Sequence, residues 1–224
     1  MGNLLSETVE DYLKAIFRLT MENERASTGE IAAALSVSPA SVTDMLQRLA
    51  AEDPPLVDYR KHKGAALTDD GEKVALETLR HHRLLELFLH ELLGYSWDKV
   101  HEEADRLEHV ISEYFEERVS QVLGDPERGL HGEPIPSVEL HMPEQKGYCL
   151  HDMRPDQKGV IQSVRDDDPG LLQYLEKNGL VPGAEIEILD YSPYDNNLRV
   201  KVVDSKQEIV LGATITAQIF VDRN

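Results

Sequence analysis

The sequence predicts a mainly α chain that ends in a small β domain. Three observations support this. Apolar residues recur at helical spacing through residue 123, where several helices fit. A Gly/Pro-rich stretch, GDPERGLHGEPIP, then breaks the pattern. After Gln145 the texture changes to short alternating runs, GVIQSV, AEIEIL, NLRVKVV and QEIVL, separated by turn residues. These changes divide the chain into three expected domains, 1–73, 74–142 and 145–224. The last has the size of a small antiparallel barrel.

The first domain reads as helices followed by a hairpin. Val9, Tyr12, Leu13, Ile16 and Phe17 form the buried stripe of an amphipathic first helix. Ser27 and Glu30 have the spacing of a capping box, which opens a short second helix through Leu35. SVSP turns the chain. Ser38 is placed to cap a third helix, and Pro39 suits its first position. Val42, Met45, Leu46 and Leu49 are the buried face of that helix. LVDYRKHKGAALT then gives two short strands around a basic tip, Arg60–Lys63, with Gly64 beside it. Residues 69–123 are mainly helical, and LLELFLHELLG carries leucines on more than one face. A helix apolar nearly all round is buried on several sides, which points to a subunit interface.

Composition narrows the function classes. A single cysteine, Cys149, excludes an intramolecular disulfide and fits a reducing cytoplasm. No apolar run reaches the ~18–20 residues of a membrane span, and the N-terminus lacks the pattern of a targeting peptide. The net charge of −19 argues at first against a nucleic-acid partner. Its distribution matters more. Residues 1–73 carry 8 Lys+Arg against 13 Asp+Glu, net −5; residues 74–140 carry 6 against 15, net −9; residues 141–224 carry 9 against 14, net −5. The acid is concentrated in the middle third, where bound cations would neutralise it or water would solvate it.

Two short helices, a tight turn and a second helix with a free polar face fit a helix-turn-helix, and the hairpin makes it winged. The exposed face of the second helix presents Ala40, Ser41, Thr43, Asp44, Gln47 and Arg48. Ser41 and Thr43 suit phosphates, and Gln47 suits an adenine edge. With the cap residues Ser38 and Pro39 and the wing residues Arg60, Lys61 and Lys63, this is the DNA-binding set. An ordinary three-helix core is the plainer alternative. The basic hairpin at the expected distance favours DNA, and Asp44 on the reading face counts slightly against it.

The acidic third contains VHEEADRLEH. On a helix, His101, Asp105, Glu108 and His109 fall within an arc of about 100 degrees. His82 and Glu86 form another i, i+4 pair one helix earlier. Six such groups on two helices are costly to pack unless ion-paired or metallated. Both readings stand, and the number of donors favours metal. Imidazole and carboxylate without thiolate suit first-row divalent cations, and carboxylate-rich sets lean towards Mn(II).

EDYLKAIFRL, SVSPASVTDMLQRL, HHRLLELFL, KVHEEADRLEHVIS and HGEPIP, in this order, resemble the diphtheria-toxin-repressor family of metal-dependent transcriptional regulators. LVPGAEIEIL resembles the SH3-like domain of its longer members. The resemblance covers nearly the whole chain and is most specific from His81 to Ser112. It implies a winged helix-turn-helix, a helical dimerisation domain and an SH3-like barrel. It also implies a homodimer on double-stranded operator DNA that represses metal-uptake genes when loaded with Mn(II) or Fe(II). Carried over by position, its primary site is Asp11, Asp105, Glu108 and His109. Its other site is His82, Glu86 and His101, completed from the SH3-like domain by Asp168 of RDDDPG, with Asp166 and Asp167 as second choices. In the manganese branch His82 serves the primary site instead.

The departures favour manganese. Iron-sensing members carry Met and Cys where this chain has Asp11 and Asp105. Short manganese sensors carry a Glu where this chain has Lys14, so their bridged binuclear centre is not expected here. Gly129 stands where some members have a cysteine, while His131 remains as a ligand candidate. The expectation is therefore a cytoplasmic Mn(II)-dependent repressor, with Fe(II) as the alternative metal, and with neither a membrane nor a small-molecule substrate. The rival from another class, a two-metal hydrolase, finds no nucleophile motif in the sequence. A plain dimeric scaffold would need no tight metal site at all.

Overall fold

The computed structural model describes residues 5–21, 23–97, 99–144, 147–165 and 168–223. Its contacts group into two compact units, residues 1–82, 108–111 and 136–142, and residues 83–107, 112–135 and 143–224. The middle segment expected as a separate domain is thus shared between them. Its long helix, Asp69–Leu93, runs through both.

In the first unit, α1 (Glu7–Thr20), α2 (Thr28–Ala34) and α3 (Pro39–Ala50) precede β1 (Val57–Arg60), β2 (Gly64–Leu67) and the first half of α4 (Asp69–Leu93). The expected capping box is present. The Glu30 amide donates to Ser27 Oγ at 3.2 Å, and the Ser27 amide donates to Glu30 Oε2 at 2.8 Å. Ser38 caps α3 by accepting from the Ser41 amide at 3.1 Å, with Pro39 in the first turn. Leu13, Ile16, Ile31, Val42, Leu46 and Leu49 are fully buried in one core, and Met45 and Phe17 pack at its margin. Each such leucine or isoleucine contributes about 1.5–3 kcal/mol of transfer free energy.

The hairpin pairs Val57 with Leu67 through Arg60 with Gly64. Ala26 and Ala65 exchange backbone hydrogen bonds of 2.8 and 2.9 Å, fastening the hairpin to the helices. At that contact Gly64 has φ +85°, and a Cβ there would lie 2.2 Å from the Ala26 carbonyl oxygen. Only glycine fits. Arg25 adds a second tie, donating to Asp58 Oδ2 at 2.9 Å and to the Asp58 carbonyl. The guanidinium holds the Asp58 carboxyl below the usual range.

In the second unit, α5 (Val100–Leu107) and α6 (Glu113–Val122) accompany the end of α4. Leu84, Val119 and Ile135 form a small core there, flanked by Phe88. Leu92, Leu93, Tyr114, Phe115 and Val122 remain exposed on α4 and α6. β3 (Tyr148–Cys149), β4 (Lys158–Val164), β5 (Glu185–Ser192), β6 (Asn197–Val202), β7 (Glu208–Leu211) and β8 (Ile219–Arg223) form one antiparallel sheet in the order β3-β8-β4-β5-β6-β7. Bulges at Ile161/Ser163 and Ile188/Asp190 interrupt the pairing, as they do in curled sheets. The buried residues of the sheet enclose Leu150, Met153 and Trp97.

Two details differ from expectation. α5 stops at Leu107, so Glu108, His109 and Val110 lie in a turn rather than on the helix. Ser112, which caps α6, begins the next element only four residues after Glu108. The β domain also contains helices not read from the sequence, α7 (Pro169–Lys177) between β4 and β5 and the short α8 (Ala213–Thr216). No helix among the described residues is long and apolar enough to cross a membrane.

Candidate metal centre and nucleic-acid interface

In the first unit the polar groups converge on Glu108, which is 2% exposed. Lys14 of α1 donates to Glu108 Oε1. His82 Nδ1 of α4 lies 2.5 Å from Oε2. His81 Nδ1 lies 3.0 Å from the Glu108 carbonyl oxygen. His109 Nε2 is 3.3 Å from Glu108 Oε1 and 3.1 Å from Asp11 Oδ1, while its Nδ1 is 2.6 Å from Glu10 Oε2. Asp11, Glu108 and His109 offer ligand atoms that all lie within 4.8 Å of one another.

The electrostatics follow from this crowding. Asp11 and Glu10 accept from the two sides of the His109 ring and, with the charge of Glu108, outweigh the desolvation that opposes them. They raise its pKa to about 9. His109 is therefore an imidazolium at neutral pH. Once Nε2 gives up its proton, Glu10 still holds Nδ1–H and aims Nε2 at Asp11 and Glu108. Metal-ligating histidines are commonly oriented in this way. Two oxygens and one imidazole nitrogen, with no sulfur, fit Mn(II) or Fe(II) in donor type.

The second unit holds its own donors. His101 Nδ1 lies 3.0 Å from Glu86 Oε1, and His101 Nε2 lies 3.6 Å from Asp105 Oδ2. His131, fully buried, places Nε2 3.9 Å from Glu86 Oε1 and its ring 4.7 Å from the Trp97 ring centroid. The His131 carbonyl accepts from the Val164 amide at 2.9 Å, which anchors the HGEPIP loop to β4. Gly132 has φ +82° and a Cβ there would lie 1.9 Å from the Gln162 carbonyl oxygen, so the loop fits only with glycine.

Asp168 is placed differently from the expectation. It is exposed and caps α7, its Oδ1 accepting from the Gly170 amide at 2.8 Å and the Leu171 amide at 3.2 Å. Among the described residues, the close groups of donor atoms do not include it. An acidic residue before Pro-Gly at a helix start is a cap first. The alternatives Asp166 and Asp167 lie outside the described residues.

The sequence reading missed Glu10 and the partner of Lys14. Glu10 carried a weak signal, since it sits beside Asp11 in the first turn of the amphipathic first helix. The Lys14–Glu108 pair spans 94 positions and has no local signature.

The expected reading face is available. Ser38, Pro39, Ala40, Ser41, Asp44, Gln47 and Arg48 are exposed, and Thr43 is half-buried, its hydroxyl donating to the Pro39 carbonyl at 2.9 Å. Ser41 Oγ lies 2.9 Å from Ser38 Oγ. Lys61 and Lys63 project from the wing tip, where His62 takes φ 64°. Arg60 is already engaged with Asp58 at 2.9 Å.

Comparisons with known proteins cover nearly the whole chain. Residues 4–65 match the N-terminal DNA-binding domain of iron-dependent repressors, residues 68–137 their metal-binding and dimerisation domain, and residues 148–223 the FeoA domain. The iron-dependent repressor IdeR of Mycobacterium leprae is 31% identical over 207 residues, covering 87% of this chain and 88% of that protein. IdeR of Mycobacterium tuberculosis is 36% identical over 198 residues, covering 83% and 85%. Among solved structures, a manganese-dependent transcriptional repressor in complex with manganese superposes with a TM-score of 0.88 at 32% identity, covering 96% of this chain and all of that one. ScaR with bound Cd2+ superposes with a TM-score of 0.83 at 37% identity, covering 96% and 99%.

Proposed function

Because this chain belongs to the iron-dependent (diphtheria-toxin) repressor family of metal-dependent transcriptional repressors, we propose that it is the Mn(II)-responsive kind, a cytoplasmic homodimer that represses metal-uptake genes. The observation that carries this reading is the all-oxygen and nitrogen donor set of Asp11, Glu108 and His109, in the same unit as the reading helix. The metal-loaded relatives of similar fold add support. Fe(II) is the second reading, favoured by the iron-dependent relatives. The family is one of repressors rather than hydrolases.

Asp11, Glu108 and His109 would hold the ion; bound there it would neutralise carboxylate charge and cross-link α1 to the turn after α5. His82 stands with this set through Glu108. Glu86 and His101 are donors of a second centre, with His131 beside them; Asp105, expected in the primary site, lies 3.6 Å from His101 Nε2. Ser38, Pro39, Ala40, Ser41, Thr43, Gln47 and Arg48 face the major groove, and Lys61 and Lys63 meet phosphates. The exposed apolar residues of α4 and α6 suit the dimer contact. A two-fold dimer implies near-palindromic DNA with half-sites a helical turn or a multiple apart.

Affinity alone cannot select Mn(II), which stands at the weak end of the divalent series. Ligand type and coordination number must do so. A titration of DNA binding with Mn(II), anaerobic Fe(II) and Zn(II) tests the choice. Mn(II) is expected to activate where Zn(II) binds but activates poorly. A response confined to Fe(II) would overturn the manganese reading.

Metal uptake should release a proton. His109 carries one below about pH 9 in the metal-free protein and must lose it to ligate. Apparent affinity is therefore expected to rise about tenfold per pH unit as pH climbs towards about 9, then level off. Calorimetry in buffers of different ionisation enthalpy measures the proton directly. The same shift stabilises the metal-free fold below the unfolded value, and that contribution fades as pH rises through about 9.

A further inference from the structure

We propose that Lys14 is an internal cation that holds Glu108 in the metal-free protein and competes with the metal for it. This deepens the metal-centre reading and rests on it. Lys14 follows Asp11 by three positions on α1, so both side chains leave the same face of the helix. The Lys14 ammonium sits on Glu108 Oε1, with 10% of its side chain exposed and none of the carboxylate's. His109 Nε2 lies 3.3 Å from that same oxygen. The other oxygen, Oε2, faces His82 Nδ1 at 2.5 Å.

Both oxygens of the central carboxylate are thus engaged before any ion arrives. A buried carboxylate needs such partners, because burial without them is costly. A divalent ion entering between Asp11, Glu108 and His109 would share Glu108 Oε1 with a positive charge or displace it. Like charges on one carboxylate repel, and more strongly in a site this poorly solvated. Lys14 therefore lowers metal affinity and sets the concentration at which the centre fills.

The test is Mn(II) titration by calorimetry in a Glu86→Gln background, which silences the second centre, together with thermal unfolding in chelator and in Mn(II). Lys14→Met removes the charge and keeps the stem. It is expected to bind Mn(II) about tenfold more tightly or more, the range of outer-shell effects. It should also melt lower in chelator and gain more from Mn(II). Lys14→Arg keeps the charge and should stay near the parent. Should Lys14→Met not fold, Lys14→Gln carries the same expectation. Parent-like or weaker binding by the uncharged variants, with the parent itself binding, overturns the Lys14 proposal alone. No Mn(II) binding by the parent overturns this proposal and the metal-centre reading together.

Discussion

Glu108→Gln is expected to abolish the metal response of DNA binding and to cost about 3–5 kcal/mol of stability, the usual penalty for breaking a buried ion pair from one side. Glu108 is the acceptor shared by Lys14, His82 and His109. The amide keeps the shape but not the charge. It would leave Lys14, His82 and His109 around a neutral group inside a poorly solvated cluster. A surface carboxylate such as Glu102, paired with Arg106 on the exposed side of α5, should cost at most about 1 kcal/mol on the same change. Denaturant unfolding and Mn(II) titration of both variants measure the contrast. A Glu108→Gln protein that is parent-like in stability and metal response would remove Glu108 from the centre.

The second large effect concerns the wing. Replacing Lys61 and Lys63 by Ala should weaken binding to every DNA sequence. It should also flatten the dependence of log affinity on log salt by about 0.9 for each phosphate no longer neutralised, about 1.8 for the pair. Arg60 is expected to contribute less than either lysine, because its guanidinium already holds Asp58. Gln47→Ala should behave in the opposite way, leaving the salt slope alone and costing about 1–3 kcal/mol of base discrimination. An unchanged slope in the double lysine variant would mean that the wing does not touch DNA.

Features with local signatures were legible in the sequence. The capping box at Ser27/Glu30, the cap at Ser38 with Pro39, the buried face of α3 and the basic hairpin all occur where the pattern placed them. α7 had a signature that went unread: an Asp cap, Pro169 in the first turn and Gly179 at φ +69° just past the end. That omission also hid the capping role of Asp168.

The donors of the candidate centre carried a sequence signal, but the way the chain brings them together did not. Helical spacing set Glu108 and His109 on one face with His101 and Asp105, yet the helix ends at Leu107 and a turn carries the Glu-His pair to Asp11. Periodicity cannot report a helix end that carries no glycine or proline. The roles of Lys14 and Glu10 depend on contacts 94 and 99 residues apart in sequence, which no local pattern encodes. The resemblance to the family supplied Asp11, because a lone aspartate on an amphipathic helix is otherwise a surface residue.

DNA binding is expected to depend on an ion held by Asp11, Glu108 and His109. The most direct test of this measures the affinity of the chain for a duplex selected from random sequence by the Mn(II)-loaded protein, with Mn(II) and with chelator at one salt concentration. Typical coupling between two sites is about 5–150-fold, and the loaded protein is expected to bind within or above that range relative to the chelated one. Equal affinity in the two conditions, or no sequence selected at all, would contradict it.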